Sequence, residues 1–147
     1  MKITPHTYQW AYPLTTRQGK PRGTVWHNAA ATHCTVDDIH SWHRFGNGWS
    51  GIAYHFFVDK EGKIWRGRPE NKLGGHTLGG SSWLGICCEG NYDREKEMPK
   101  AQLLSCIWLH DYINGKYGKM PHVKHRDMPG NATSCPGRFF PWGKIVA

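Results

Sequence analysis

The sequence predicts an α/β fold in which a single mixed central β-sheet carries helices packed on it. Three observations predict it. Short segments rich in β-branched and aromatic residues alternate with two helical periodicities along the chain. Residues 52–59 and 83–89 carry apolar side chains at successive positions, as strands covered on both faces do. Pro and Gly punctuate the segments, and no repeat, low-complexity tract or long linker interrupts them. At 147 residues the chain suits one domain over its whole length, with enough apolar residues for a core.

The elements follow in order. Residues 23–26 form a short apolar stretch that delivers His27 to a strand end. Thr35 and Asp38 make a capping box, with Asp37 and Asp38 at the positive end of the helix dipole. Val36, Ile39, Trp42 and Phe45 recur at helical spacing, and Gly46 and Gly48 stop that helix. Residues 52–59 and 63–68 flank Lys60-Glu61-Gly62 as a hairpin, and residues 83–89 form a further strand. Pro99 opens a long helix to about Asn114, closed by Gly115, with Leu103, Leu104, Ile107 and Trp108 expected on its inner face. Residues 122–142 read as a loop, and long loops in compact domains are more often functional than not.

Composition narrows the partners. The net charge of +8 favours an anionic partner, which could be nucleic acid, a membrane surface or a bacterial wall. Scattered basic residues fit a solvated face equally well. No nucleic-acid motif is present, so a nucleic-acid binder would rest on charge alone. No apolar stretch approaches a membrane span, so no membrane insertion is expected. Residues 1–10 lack the apolar core of a signal peptide. The expectation is synthesis in the cytoplasm, with action on the wall after release or non-classical export, as a monomer. Five cysteines without paired C-x-x-C spacing argue against a disulfide framework.

Ten histidines are a marked excess. His27 sits at a strand end, and His125 and Cys135 lie ten positions apart in the tail. Imidazole nitrogen and thiolate sulfur are ligands that Zn²⁺ prefers, and three of them leave an open catalytic position. Spacing alone equally allows ordinary polar and core side chains.

The text around these residues resembles the N-acetylmuramoyl-L-alanine amidase family, which includes amidase-type phage lysozymes and peptidoglycan recognition proteins. The resemblance is carried by Trp26-His27-Asn28, by residues 49–56 and by the hairpin of residues 59–68. It continues through Gly75-His76-Thr77, Gly85-Ile86, Glu89-Gly90-Asn91, His125-Arg126-Asp127 and Ser134-Cys135-Pro136-Gly137. These appear in family order across roughly residues 24–142.

The resemblance implies hydrolysis of the amide between N-acetylmuramic acid and L-alanine in peptidoglycan, by an endolysin of phage or prophage type. It implies a zinc cofactor on His27, His125 and Cys135, and a catalytic tyrosine at Tyr54. His43, Trp49 and His76 match positions lining the peptide groove of recognition-type relatives. Thr133 stands where relatives often have a catalytic lysine, and can donate a hydrogen bond but no charge. Cys87 stands where other branches place a glutamate base, which leaves Glu89, on the same strand face, as a fallback. Asp127 is a candidate to orient a ligand, or a loop partner of a neighbouring arginine. The alternative function is a non-catalytic peptidoglycan-binding module, although such relatives typically lose the cysteine that this chain keeps.

Overall fold

The computed structural model describes residues 1–146. Six strands form one sheet in the order β1-β4-β3-β5-β2-β6. They are β1 (Ile3–Thr4), β2 (Thr24–Asn28), β3 (Phe56–Val58), β4 (Ile64–Arg66), β5 (Leu84–Cys88) and β6 (His122–Lys124). Only the β3–β4 hairpin is antiparallel. The central strands β2, β3 and β5 are buried at every position, the burial expected of parallel strands covered on both faces.

Strand alternation sorts the side chains into two layers. Trp26, Phe56, Ile86 and Cys88 face α2 (Lys100–Tyr117) and pack against its Cys106, Leu109 and Ile113. His27, Cys87 and Phe57 are register partners across β2, β5 and β3, so they share the opposite face. Cys87 and Phe57 there meet Val36 and Ile39 of α1 (Val36–Ser41). Fully burying each large apolar side chain contributes roughly 1.5–3 kcal/mol. His27 therefore sits in a row whose other members, Cys87 and Phe57, are fixed by apolar packing.

The capping box forms as expected, with Asp38 N–H donating to Thr35 Oγ1 at 3.2 Å and Thr35 N–H to Asp38 Oδ2 at 2.9 Å. The end of that helix differs from expectation. A π-helical turn, Trp42–Gly46, follows α1, with Asn47 N–H bonded to Trp42 O at 3.1 Å. The wider turn breaks the 3.6-residue period, so Trp42 is exposed and Phe45 is 73% exposed instead of joining the core.

The long helix also differs. It passes through Gly115, which has open space around it, and ends at Gly118 in a positive-φ cap (φ +85°). Its buried face is Gln102, Ser105, Cys106, Leu109 and Ile113, while Leu104 is 47% exposed. Gln102 sets this rotation, because its Nε2 donates to Val58 O and Glu89 O at 2.9 and 2.8 Å. Those carbonyls lie at the ends of β3 and β5, beyond the reach of any hydrophobic pattern.

Two further differences matter for the site. Ile52, Ala53 and His55 are buried and Tyr54 partly so, yet these residues are not a strand, since side chains take up part of their backbone. Ile52 N–H donates to His40 Nδ1 and Ala53 N–H to His43 Nδ1, both at 3.0 Å. The tail is not all loop either. His122–Lys124 pairs with β2 in parallel, in the register Thr24↔His122 through Trp26↔Lys124. A short helix, α3 (Trp142–Ile145), then sets Trp142 edge-on against Trp26, with ring centroids 6.4 Å apart.

Candidate metal centre and cleft

Two neighbouring parallel strands deliver the histidines. His27 lies near the carboxyl end of β2, and His125 opens the 3₁₀ turn directly after β6. The carboxyl ends of parallel strands are where open α/β sheets place their sites. The two imidazole centroids are 4.5 Å apart. Cys135 arrives from the tail, where Arg126 N–H donates to Cys135 O at 2.9 Å. Asp93 holds the flanks of that segment, accepting from Ser134 Oγ at 2.5 Å and from Arg138 N–H at 3.2 Å.

The result is one cluster. A ligand atom from each of His27, His125 and Cys135 lies within 4.8 Å of the others, and no other such group occurs among the described residues. The hydrogen bonds identify the free nitrogens. His76 Nε2 faces Trp83 O at 2.9 Å, and a carbonyl can only accept, so that nitrogen carries the proton. Its Nδ1 therefore accepts from His27 Nε2–H at 3.0 Å. His125 Nε2 likewise donates to Asn131 Oδ1 at 3.0 Å. Both ligand candidates keep an unshared Nδ1 lone pair.

Electrostatics agree with this donor set. Burial, then the neighbouring His76, His125 and His43, hold His27 well below the usual imidazole range. Burial lowers His125 as well. Both rings are neutral at pH 7, the form that binds a metal. Burial pushes the Cys135 thiol up to about 12, so its thiolate needs a cation beside it. Two neutral imidazoles and one thiol converging within a few ångströms fit a zinc ion in donor type and number.

Around the cluster the other expected residues fall at different distances. The Tyr54 ring lies 4.9 Å from His27 and 5.5 Å from His43, and its side chain meets Cys87. Burial raises Tyr54 and Cys87 far above their ordinary values, so both are neutral. Thr133 is exposed, and its Oγ1 accepts the Cys135 N–H at 3.1 Å. His43 is positioned by the π turn. Its Nδ1 accepts from Ala53 N–H, its ring lies 4.8 Å from Trp49, and burial lowers it to about 4.

An open cleft of about 680 Å³ runs beside the cluster, lined by Trp49, Arg68, His76, Leu78, His125 and Asn131 among others. His76 lines it with only 8% of its surface exposed, and both its nitrogens are engaged within the protein. This differs from a groove residue with a nitrogen to offer. Glu89 is also spoken for, since its two oxygens accept from Cys34 N–H at 3.2 Å and Lys60 N–H at 2.8 Å. Asp127 is exposed, and Asn131 occupies the outer nitrogen of His125 in its place.

Two cleft residues escape a sequence reading. Arg68 is the one permanent cation among the lining residues, braced by bonds to Ile52 O and Leu73 O at 2.9 and 3.0 Å. Asn131 carries no motif signal, being one polar residue in a Pro-Gly-Asn turn.

Fold and site together define a class of small mixed α/β domains with a His-His-Cys cluster at the strand ends. A sequence profile for N-acetylmuramoyl-L-alanine amidases matches residues 17–138, and the chain belongs to that family. It is 31% identical over 134 residues to an endolysin of Enterobacteria phage K11, covering 81% of this chain and 85% of that one. It superposes with a TM-score of 0.89 on the N-acetylmuramoyl-L-alanine amidase LysC of Clostridium intestinale URNW, at 37% identity over 99% of this chain and 95% of that one. Drosophila PGRP-LB shares the fold, with a TM-score of 0.83 at 22% identity over 95% and 90% of the two chains.

Proposed function

We propose that this amidase is a zinc enzyme of endolysin type that cuts bacterial peptidoglycan between N-acetylmuramic acid and L-alanine. The observation that carries the reading is the convergence of His27, His125 and Cys135 within 4.8 Å, in a chain of this family. His27, His125 and Cys135 would hold the zinc ion, which would supply Lewis acidity toward the amide carbonyl and activate water near neutral pH.

The chain's own residues do the rest. Tyr54, neutral and packed against His27, donates its hydroxyl proton as a hydrogen bond toward the oxyanion that develops on the scissile carbonyl. Thr133 Oγ1 accepts the Cys135 amide, which leaves its own O–H to donate in the same direction. Trp49, 42% exposed, offers a ring to the substrate, and the free Nε2–H of His43 offers a donor beside it. Arg68 supplies positive charge to carboxylates of the stem peptide. Neither Cys87, a neutral buried thiol, nor Glu89, consumed by two backbone amides, serves as a carboxylate base.

The net charge of +8 supports attraction to an anionic wall. Among the described residues no helix is long and apolar enough to cross a membrane. The enzyme works as a monomer that reaches the wall after release from the cytoplasm. Incubating purified protein carrying one equivalent of zinc with muropeptides tests the reading. New free L-alanine amino termini are expected. Saturable binding without turnover at any pH would instead make this a peptidoglycan-binding module.

A further inference from the structure

We infer that the glycine-rich loop of residues 74–80 is a positioning shell for the metal centre, holding the outer nitrogen of both histidine ligands. The inference rests on the zinc reading above and adds the residues that orient its ligands.

One half of the shell is His76. Its Nδ1 accepts the His27 Nε2–H at 3.0 Å, and its own Nε2–H is pinned on Trp83 O at 2.9 Å. This chain of two bonds fixes the His27 tautomer and turns His27 Nδ1 toward Cys135 and His125. The loop's composition explains how a full imidazole fits there. A Cβ on Gly74 would stand 2.5 Å from His76 Cδ2, and one on Gly85 would stand 2.4 Å from the same atom. Two glycines, one from the loop and one from β5, thus clamp the ring from opposite ends of the sequence between them.

The other half is Asn131. Its Oδ1 accepts from His125 Nε2–H at 3.0 Å, and also from Thr77 Oγ1 at 3.0 Å and Leu78 N–H at 3.1 Å. Its Nδ2 donates to Leu78 O at 3.0 Å and to Met128 O at 3.3 Å. The orientation of the amide is set, because Leu78 N–H needs an acceptor and the carbonyls need a donor. Asn131 is therefore a staple between His125 and Thr77-Leu78 of the same loop.

A single loop thus reaches His27 directly and His125 through Asn131, while its residues also wall the cleft. His76 and Asn131 are positioning residues. Their effect on metal binding should match that of other outer partners of ligating histidines, about 10–100-fold.

The test uses the metal-loaded protein, with zinc affinity measured by chelator competition and the ligand field read from the visible spectrum of the cobalt form. His76→Phe keeps a ring in the glycine clamp but has no acceptor for His27. His76→Asn restores an acceptor at the Nδ1 position. Asn131→Ala releases His125 and the loop.

Expected for His76→Phe and Asn131→Ala are a 10–100-fold weaker zinc affinity, shifted cobalt bands and a lower kcat at little-changed KM. His76→Asn should recover part of the affinity. If His76→Phe does not fold by circular dichroism, Asn131→Ala, on a turn away from the core, decides alone. Wild-type affinity and unshifted cobalt bands in the folded variants would overturn the inference while leaving the zinc reading intact. A wild-type protein that binds neither metal would remove both.

Discussion

The sulfur of Cys135 accepts a hydrogen bond from the backbone N–H of Asn28 at 3.3 Å, across 107 positions of sequence. Asn28 directly follows His27 on β2, so the strand that carries one member of the His-His-Cys cluster also fixes another. The tail is thereby tied to the sheet at the candidate metal centre itself.

Cys135→Ser tests that tie and the thiolate together. A serine hydroxyl can still accept the Asn28 N–H, so the fold should persist by circular dichroism. It is a far poorer ligand than a thiolate, and the loss should exceed the roughly 100-fold seen for outer partners. Zinc retained after dialysis should fall to a small fraction of an equivalent, with muropeptide turnover lost in parallel. Retention of full zinc and turnover would remove Cys135 from the site.

Tyr54→Phe separates chemistry from metal binding. The ring contact with His27 at 4.9 Å survives, and only the hydroxyl goes. Loss of one donor to a developing oxyanion typically costs about 10²–10³ in kcat. Steady-state kinetics should show that drop with zinc content unchanged. An equal fall in zinc content would make Tyr54 a packing residue.

Acid should destabilise the protein partly through His55. Its Nδ1 accepts from Gly85 N–H at 3.0 Å and its Nε2–H donates to Lys72 O at 2.8 Å. Burial, with a smaller push from His76, lowers its pKa from 6.5 to about 3. The folded value is depressed, so below pH 6.5 the unfolded chain binds a proton that the folded one refuses. This contribution is complete above 6.5 and is lost as pH falls toward 3, at up to about 1.4 kcal/mol per pH unit. Melting temperatures at saturating zinc between pH 8 and 4 should fall less steeply for His55→Gln than for wild type. Parallel curves would show that His55 does not titrate on unfolding.

Gly137→Ala should be costly in a way its surroundings cannot relieve. Gly137 has φ +109°, and a Cβ there would stand 2.4 Å from the Tyr92 carbonyl carbon and 2.7 Å from Asp93 N. Those are backbone atoms, so no rotamer change makes room. Backbone strain alone is of order 1–3 kcal/mol, and the clash adds to it. A drop of several degrees in melting temperature, measured calorimetrically, is expected.

Much of this molecule was legible because local rules and tertiary demands coincide. The Thr35–Asp38 capping box, the β3–β4 hairpin and the apolar runs of β2 and β5 are fixed by contacts near in sequence or by burial on both faces. His27, His125 and Cys135 were legible through the motifs around them, since 98 and 10 positions of spacing say nothing by themselves.

What escaped was set by long-range partners. Parallel pairing with β2 turns His122–Lys124 into a strand, and three residues are too few to show a period. A π turn exposes Trp42 and Phe45 while aiming His43 at Ala53. Gln102 rotates α2 through bonds to two strand-end carbonyls. Asn131 and His76 acquire their places from partners that only the fold supplies, so neither residue type nor spacing marks them as hydrogen-bond partners of His125 and His27.

The bond cleaved is the central claim, and digestion of defined muropeptides in ¹⁸O-labelled water tests it most directly. With zinc bound, mass spectrometry should find one ¹⁸O in the lactyl carboxylate of N-acetylmuramic acid and an unlabelled stem peptide beginning with free L-alanine. The same digest with Cys135→Ser should show neither product. Label appearing within the stem peptide or at a sugar reducing end, or cleavage that persists without metal, would contradict the account.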